Sequence, residues 1–112
     1  MHEMSLAQSI MEIVDDVAAG RAENVEQVFV EVGTLVAVVP DSLEFCYTAI
    51  TSGTPLERSQ LVIRVIPIRV QCSDCKHSSE VESFVFRCPA CDSGSLQMLS
   101  GNEFSVTEIE VA

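Results

Sequence analysis

Two cysteine pairs constrain this chain more than any other feature. Cys72 and Cys75 form the first Cys-x-x-Cys pair, and Cys88 and Cys91 form the second. Each pair supplies two sulfurs from one tight turn, and the segment between the pairs can fold as a hairpin. Four thiolates in a tetrahedron are the ligand set of a structural zinc site, which leaves no open position on the metal. The spacing therefore predicts one structural Zn(II) held by these four side chains.

Other states of the four cysteines stay open at this point. Two disulfides or idle thiols are one alternative, and iron in a rubredoxin-like electron carrier is another, because tetrahedral sulfur also suits iron. The first residues show no basic segment followed by an apolar run, and no apolar run is long enough to span a bilayer. We therefore expect a cytoplasmic protein without membrane contact, and a reducing cytosol favours metal over disulfides.

The charge balance excludes one class of partner. The chain has 112 residues, with 17 acidic and 6 basic side chains and a formal net charge of −11. Such a surface is repelled by phosphate backbones, which predicts that nucleic acid is not a partner. The sequence also shows no nucleophile and base pattern, so we predict that the protein is not an enzyme.

Two helices are predicted in the first half of the chain from apolar residues at helical spacing. The first helix precedes Gly20, and its expected buried stripe is Leu6, Ile10, Ile13, Val14 and Val17. The second begins at Pro40, where Asp41 suits the first turn of a helix. Its expected buried stripe is Leu43, Cys46, Tyr47 and Ile50. Cys46 is thus interpreted as a small buried hydrophobic residue rather than a ligand.

Three strands are predicted around these helices. They are Val25–Val32, Leu61–Val70 and Glu103–Val111. The first two flank the second helix, which predicts a parallel crossover connection, and the third is expected to join the same sheet. Pro67 cannot donate to a ladder, so it marks an edge, a bulge or the exit from the sheet. In the third strand, the alternation of apolar and polar residues is interrupted between Val106 and Ile109, which predicts a bulge.

The cysteine region is expected to form a lobe of its own. Phe84 and Phe86 alternate as in a strand that leads back to the second cysteine pair. The predicted fold class is α/β (α+β), with a small mixed sheet, two helices and an inserted four-cysteine lobe resembling a zinc ribbon. The α/β domain is predicted to comprise residues 1–70 and 99–112, and the zinc-binding lobe residues 71–98.

A second metal-binding pattern lies at the start of the chain, Met1-His2-Glu3. Removal of an initiator methionine generally needs a small second residue, so Met1 is expected to stay. The Met1 amine, the His2 backbone nitrogen and the His2 imidazole can then chelate one metal, and Glu3 can add an oxygen. Such a nitrogen and oxygen set in a square plane suits Ni(II) or Cu(II). Alone, a histidine at position 2 is more often a solvated residue.

The opening Met-His-Glu-Met-Ser-Leu together with the two late cysteine pairs resembles the HypA/HybF family of nickel metallochaperones for [NiFe]-hydrogenase maturation. The likeness covers essentially the whole chain, including residues 40–45 and 101–103. It implies that His2 is the principal Ni(II) ligand, with Met1 and Glu3 contributing, and that the four cysteines hold Zn(II). Asp41 matches a family position sometimes placed near nickel, although a helix-start acid is an equally good interpretation.

The resemblance also implies partners. These are the GTPase HypB, the precursor of the hydrogenase large subunit and, for some members, urease maturation proteins. The sequence leaves both a monomer and a homodimer open. Some relatives carry a histidine just after the second cysteine pair, where this chain has Asp92 and Ser93. Only His77 lies near the predicted zinc site, and we interpret it as solvated. The alternative function is a zinc-ribbon regulatory or interaction module without nickel delivery.

Overall fold

The computed structural model describes residues 3–112. Its helices are α1 (Glu3–Ala18) and α2 (Pro40–Thr51), with short 3-10 turns at Ala22–Asn24 and Thr34–Val36. Its strands are β1 (Val25–Gly33), β2 (Gln60–Ile66), β3 (Arg69–Cys72), β4 (Ser78–Glu80), β5 (Leu96–Ser100) and β6 (Phe104–Val111). These strands form two three-stranded sheets. No helix within residues 3–112 is long and apolar enough to cross a bilayer.

The first sheet has the strand order β2-β1-β6. β1 pairs in parallel with β2 and antiparallel with β6, which confirms the predicted crossover through α2 and the return of the final strand. Phe29 pairs with Glu108 and Val30 pairs with Val106, so Thr107 is the extra residue of a bulge. The predicted slip in the last strand is therefore confirmed.

Both helices contribute buried side chains to one core with the first sheet. These buried side chains include Leu6, Ile10 and Val14 on α1, Val28, Val30 and Val32 on β1, and Leu43 and Tyr47 on α2. Ile10 has no exposed surface, and burying such a side chain stabilises the fold by about 1.5–3 kcal/mol. Burial also raises the pKa of Tyr47, whose hydroxyl hydrogen-bonds with Ser59 at 2.7 Å.

On each helix, some of the residues that were predicted to be buried are exposed or only half-buried. Ile13 is 42% exposed and Val17 is 64% exposed, because β6 is an edge strand of the sheet and the sheet is too narrow to cover that side of α1. On α2, Cys46 and Ile50 are only half-buried against the core. The buried position at the end of α2 is Thr51, whose hydroxyl donates to the Tyr47 carbonyl at 2.8 Å.

The predicted strand Leu61–Val70 is two strands in two different sheets. β2 ends at Ile66 and β3 begins at Arg69, so Pro67 marks the exit from the first sheet. Proline has no N–H to donate, which suits a point where the ladder stops. β3 is the central strand of the second sheet, in the order β4-β3-β5. That sheet runs from Arg69 to Ser100, while the predicted domain boundaries stay a prediction.

The strand predicted through Phe84 and Phe86 is also wrong. This segment is a turn in which the Val85 N–H donates to the Glu82 carbonyl at 3.1 Å. Ser83 and Phe84 have φ angles of 52° and 56°, in the left-handed region. That conformation costs about 1–2 kcal/mol per non-glycine residue. Alternating aromatics alone did not distinguish this turn from a strand.

The two sheets meet closely at the end of β1. The Gly33 N–H donates to the Glu103 carbonyl at 2.7 Å, and the Leu35 N–H donates to the Gly101 carbonyl at 2.8 Å. A Cβ at Gly33 would lie 2.1 Å from the Gly101 oxygen, and a Cβ at Gly101 would lie 2.8 Å from the Ile68 Cα. Glycine is therefore required at both positions for the second sheet to approach the first.

Candidate metal sites

The four paired cysteines converge on one point. All four sulfurs of Cys72, Cys75, Cys88 and Cys91 lie within 4.8 Å of one another. The Cys72–Cys91 sulfurs are 3.6 Å apart and the Cys75–Cys88 sulfurs are 3.5 Å apart. A tetrahedron with Zn–S bonds of about 2.3 Å has edges of about 3.8 Å, close to these separations, whereas a disulfide needs about 2.05 Å. The cluster therefore fits a structural zinc site in both donor type and spacing.

The two cysteine pairs lie in two separate backbone turns that have the same hydrogen-bond pattern. The Cys72 N–H donates to the His77 carbonyl and the Lys76 N–H donates to the Cys72 carbonyl, at 2.8 and 2.9 Å. In the second pair, the N–H of Cys88 donates to the carbonyl of Ser93 at 2.9 Å, and that of Asp92 donates to the carbonyl of Cys88 at 2.8 Å. The residue after each second cysteine is left-handed, with φ of 66° at Lys76 and 62° at Asp92.

One hydrogen bond joins the two turns directly. The Ser93 hydroxyl donates to the carboxylate of Asp74, which lies between the cysteines of the first pair. The same Ser93 oxygen accepts from the Ser95 N–H at 3.0 Å. Sequence reasoning noted Ser93 only as the residue found where some relatives have histidine, and it missed this link. The available signal was an acid inside the first pair and a hydroxyl just after the second.

The electrostatics of the metal-free cluster favour one thiolate and oppose another. The backbone N–H of Cys75 lowers the pKa of Cys72 to about 7. At Cys91, the backbone N–H of Ser93 has a lowering effect, but the neighbouring sulfurs, Cys72 first, and burial raise the pKa to about 12. Four thiolates cannot share this space without a cation, so binding of a metal must displace protons.

The remaining residues near the cluster have simpler roles. Cys72 and Cys88 are buried, whereas Cys75 and Cys91 are exposed, so the cluster lies at the surface. His77 contacts the first turn through its backbone carbonyl, and its side chain is exposed.

Two candidate nickel residues lie in the described part of the chain, Glu3 at the start of α1 and Asp41 at the start of α2. A Glu3 carboxylate oxygen accepts from the Val39 N–H at 3.3 Å, which brings the two helix starts together. Asp41 is exposed in the first turn of α2. Met1 and His2 lie outside the described residues. Within residues 3–112, only the cysteine cluster brings three or more potential metal ligands together.

Comparison with known proteins shows which family this chain resembles. The model of the family described as "Hydrogenase/urease nickel incorporation, metallochaperone, hypA" matches residues 1–111. The chain belongs to the HypA family. The hydrogenase maturation factor HypA of Geobacter metallireducens is 43% identical over 111 residues, covering 99% of both chains. That of Geotalea uraniireducens is 41% identical over 111 residues, again covering 99% of both.

Solved HypA structures share the fold. The solution structure of the nickel metallochaperone HypA from Helicobacter pylori gives a TM-score of 0.67 at 22% identity, covering 99% of this chain and 97% of that one. A second HypA solution structure gives a TM-score of 0.70 at 22% identity, covering 100% and 97%. The HypA family is a family of metallochaperones for nickel incorporation, and its fold here includes a cysteine cluster that fits zinc.

Proposed function

We propose that this chain carries Ni(II) at its N-terminus and delivers it during [NiFe]-hydrogenase maturation. The observation that carries the proposal is the family match, which begins at residue 1 and so includes the Met-His-Glu opening. His2 is the principal ligand through its imidazole and backbone nitrogen, and the Met1 amine anchors the chelate. Nitrogen and oxygen donors in this arrangement suit Ni(II). The protein acts as a carrier and not as an enzyme.

The Glu3 carboxylate supports this placement of the cargo. It is a candidate oxygen donor one residue from His2, and it accepts from the Val39 N–H at the start of α2. Two acids, Glu3 and Asp41, occupy the first turns of α1 and α2. Their charge favours a divalent cation near the two helix starts. Asp41 is proposed as an auxiliary ligand or as a negative charge that attracts the cation, and His2 is proposed as the ligand that nickel requires.

The four cysteines are proposed to hold Zn(II) as a structural ion. Their sulfur spacing fits a tetrahedron, and a closed thiolate site offers zinc no vacant position for chemistry. When bound, zinc supplies four short cross-links to a lobe with few buried apolar residues. The Asp74–Ser93 hydrogen bond and the paired turns then hold the sulfurs in place.

The GTPase HypB is proposed to contact the nickel end of the molecule. Transfer of nickel requires the N-terminal site of this chain to approach the metal site of the GTPase. Near that N-terminal site, α2 offers an exposed surface. Phe45 is 74% exposed and lies in a shallow cleft with Asp41 and Glu44. An aromatic side chain flanked by acids suits a partner with an apolar pocket and basic side chains. Phe45→Ser should weaken HypB binding, and binding that survives disruption of both helices would contradict this placement.

A maturation assay tests delivery. Cells that lack this protein should make inactive hydrogenase, and the wild-type chain should restore activity. His2→Gln should not restore it at limiting nickel, although it should keep its zinc and its fold. Full restoration by His2→Gln would contradict nickel delivery through the N-terminus and favour a zinc-ribbon interaction module instead. Assays of hydrogenase and urease in the same cells would show which nickel enzymes are served.

A further inference from the structure

Two hydrogen bonds outside the cysteine cluster connect the segments that carry its two turns. The Ser93 hydroxyl donates to the Asp74 carboxylate, and the Ser73 N–H donates to the Ser95 carbonyl at 2.8 Å. Ser93 is itself held in place, because its oxygen accepts from the Ser95 N–H at 3.0 Å. The orientation of one turn against the other is therefore set by protein groups as well as by the metal.

The sulfurs of the cluster are accessible to metal ions from the solvent. Cys75 and Cys91 are both exposed, so the fold places no barrier between them and a nickel ion. Raw affinity separates divalent metals poorly, and their selection rests largely on the geometry that the protein imposes. This matters in a protein that is proposed to carry Ni(II) at its other end, because nickel bound by the thiolates would be withdrawn from delivery.

Zinc and nickel differ in the geometry that each prefers. Zn(II) has no preference from its d electrons and accepts a tetrahedron, whereas Ni(II) with strong ligands favours a square plane. Each turn supplies two sulfurs, which define one plane together with the metal. The two planes are about 90° apart in a tetrahedron and coincide in a square plane. Nickel in its favoured geometry therefore requires one turn to rotate relative to the other.

The Asp74–Ser93 hydrogen bond opposes this rotation. The metal lies on the axis about which one turn would rotate, so a bond between the turns lies beside that axis and must break. Its acceptor is a carboxylate, and a hydrogen bond to a charged group stabilises a fold more than a neutral one does. Ser93 cannot follow Asp74 through the rotation without releasing the Ser95 N–H. The bond thus favours the tetrahedral arrangement and is lost in the planar one.

We propose that Asp74 and Ser93 determine the metal specificity of the cysteine cluster, by holding its two turns in the arrangement that suits Zn(II) and disfavours Ni(II). This inference rests on the proposed zinc site and on the proposed nickel site at the N-terminus. Both side chains act through the turns and not as ligands, so they are positioning residues. Nickel carried at the N-terminus is consequently not lost to the thiolates of the same chain.

Competition titrations test the proposal by measuring the affinity of the cluster for each metal separately. Every protein carries His2→Gln, so that the N-terminus does not compete for nickel, and is kept reduced without oxygen. A chelator of known affinity sets the free metal concentration. Zinc is followed by the colour of the chelator, and nickel at the cluster by sulfur-to-nickel charge-transfer absorption, which nitrogen and oxygen ligands do not produce.

Loss of the bond should weaken zinc binding alone. Asp74→Ala and Ser93→Ala should each lower zinc affinity about tenfold or more and leave nickel affinity unchanged, because the bond is present only in the tetrahedral state. The double variant should resemble the single variants, since all three lack the same bond. Ser93→Thr keeps the hydroxyl and should keep the wild-type ratio of zinc to nickel affinity.

Asp92→Asn is the matched control for charge. It removes an acid beside the second cysteine pair and leaves the Asp74–Ser93 bond intact. Asparagine also suits the left-handed φ of 62° at this position. The exposed ion pair with Arg87 that it removes contributes little to stability. The ratio of zinc to nickel affinity should therefore change by less than about twofold in this variant.

Three results would overturn the specificity role. They are an unchanged ratio of affinities in Asp74→Ala and Ser93→Ala, equal weakening of both metals in these variants, and a shift as large in Asp92→Asn. Equal weakening would indicate a purely structural bond, and the Asp92→Asn shift would indicate a charge effect. Failure of the parent protein to bind zinc would contradict the proposed zinc site. Failure of protein with His2 intact to bind nickel would contradict the N-terminal site without changing the cluster measurements.

Discussion

The carboxylate of Glu3 accepts a hydrogen bond from the backbone N–H of Val39 across 3.3 Å. Val39 is the residue just before α2, so this bond ties the beginning of one helix to the beginning of the next. The positive ends of both helix dipoles are consequently close together, and acids are favourable there. Glu3 therefore has a structural role that is separable from any role as a metal ligand.

Substitution of Glu3 distinguishes these two roles. Glu3→Gln keeps an oxygen for the Val39 N–H, so the free energy of unfolding should change by less than about 0.5 kcal/mol. It removes the charge, and nickel affinity should fall by up to about tenfold. Glu3→Ala should show the same nickel effect and also lose about 0.5–1 kcal/mol of stability. Denaturant unfolding and nickel calorimetry measure the two quantities, and unchanged nickel affinity in Glu3→Gln would exclude a carboxylate ligand.

Gly33 should tolerate no side chain. A Cβ there would lie 2.1 Å from the Gly101 carbonyl oxygen, and its nearest neighbours are all backbone atoms, which cannot rotate away as a side chain can. Gly33→Ala should therefore lower the free energy of unfolding by about 1–3 kcal/mol. Gly94→Ala is the matched control, because a Cβ at Gly94 would meet nothing within 4 Å. Equal stability of the two variants in urea would contradict the close approach of the two sheets.

Much of the first sheet could be predicted because its signals are local. Pro40 and Gly20 mark helix ends, and the slip between Val106 and Ile109 revealed the bulge at Thr107. The four cysteines were predictable because metal chemistry fixes both residue type and spacing. In contrast, the exposure of Val17 depends on the width of the sheet beneath α1, which no pattern within the helix encodes.

The cysteine lobe was harder to predict. Its shape depends on hydrogen bonds between distant turns, such as Ser93 to Asp74, and on left-handed backbone at Phe84 that the residue type disfavours. The one strand predicted across Pro67 is divided because β3 pairs with β4 and β5, which come later in the chain. The start of the nickel site, Met1 and His2, stays a prediction because it lies outside the described residues.

Removal of one cysteine should unfold the lobe selectively. Cys88→Ser leaves three thiolates, so zinc should be lost and the amide signals of the lobe should collapse. The signals of α1 and β1 should persist, because their aliphatic core is separate. Cys46→Ser is the control, since Cys46 packs on that core away from the cluster. The Cys46→Ser protein should keep one zinc. A folded lobe in metal-free Cys88→Ser protein, seen by NMR, would refute a structural role for the ion.

Zinc binding should weaken as pH falls. In the metal-free cluster the pKa of Cys91 is raised to about 12, so this thiol is protonated at neutral pH and must lose its proton to bind zinc. Each proton released makes the affinity fall about tenfold per pH unit on acidification. The backbone N–H of His77 has a lowering effect at Cys75, but the Cys88 sulfur and burial raise the pKa of this thiol on balance, so it releases a second proton. The pKa of Cys72, lowered to about 7, adds a further proton below neutrality. Competition with a chromophoric chelator measures this slope, and a flat profile between about pH 8 and 6 would contradict thiolate ligation.

Nickel binding by a protein with one extra residue before Met1 tests the central claim most directly. The extension changes no side chain, but it converts the Met1 amine into an amide and moves the free amine out of the chelate. His2→Gln serves as the side-chain control, and zinc content serves as the check on folding. By calorimetry, the extended protein should lose specific nickel binding as His2→Gln does, while both keep one zinc. Wild-type nickel affinity and stoichiometry in the extended protein would contradict the amine-anchored site.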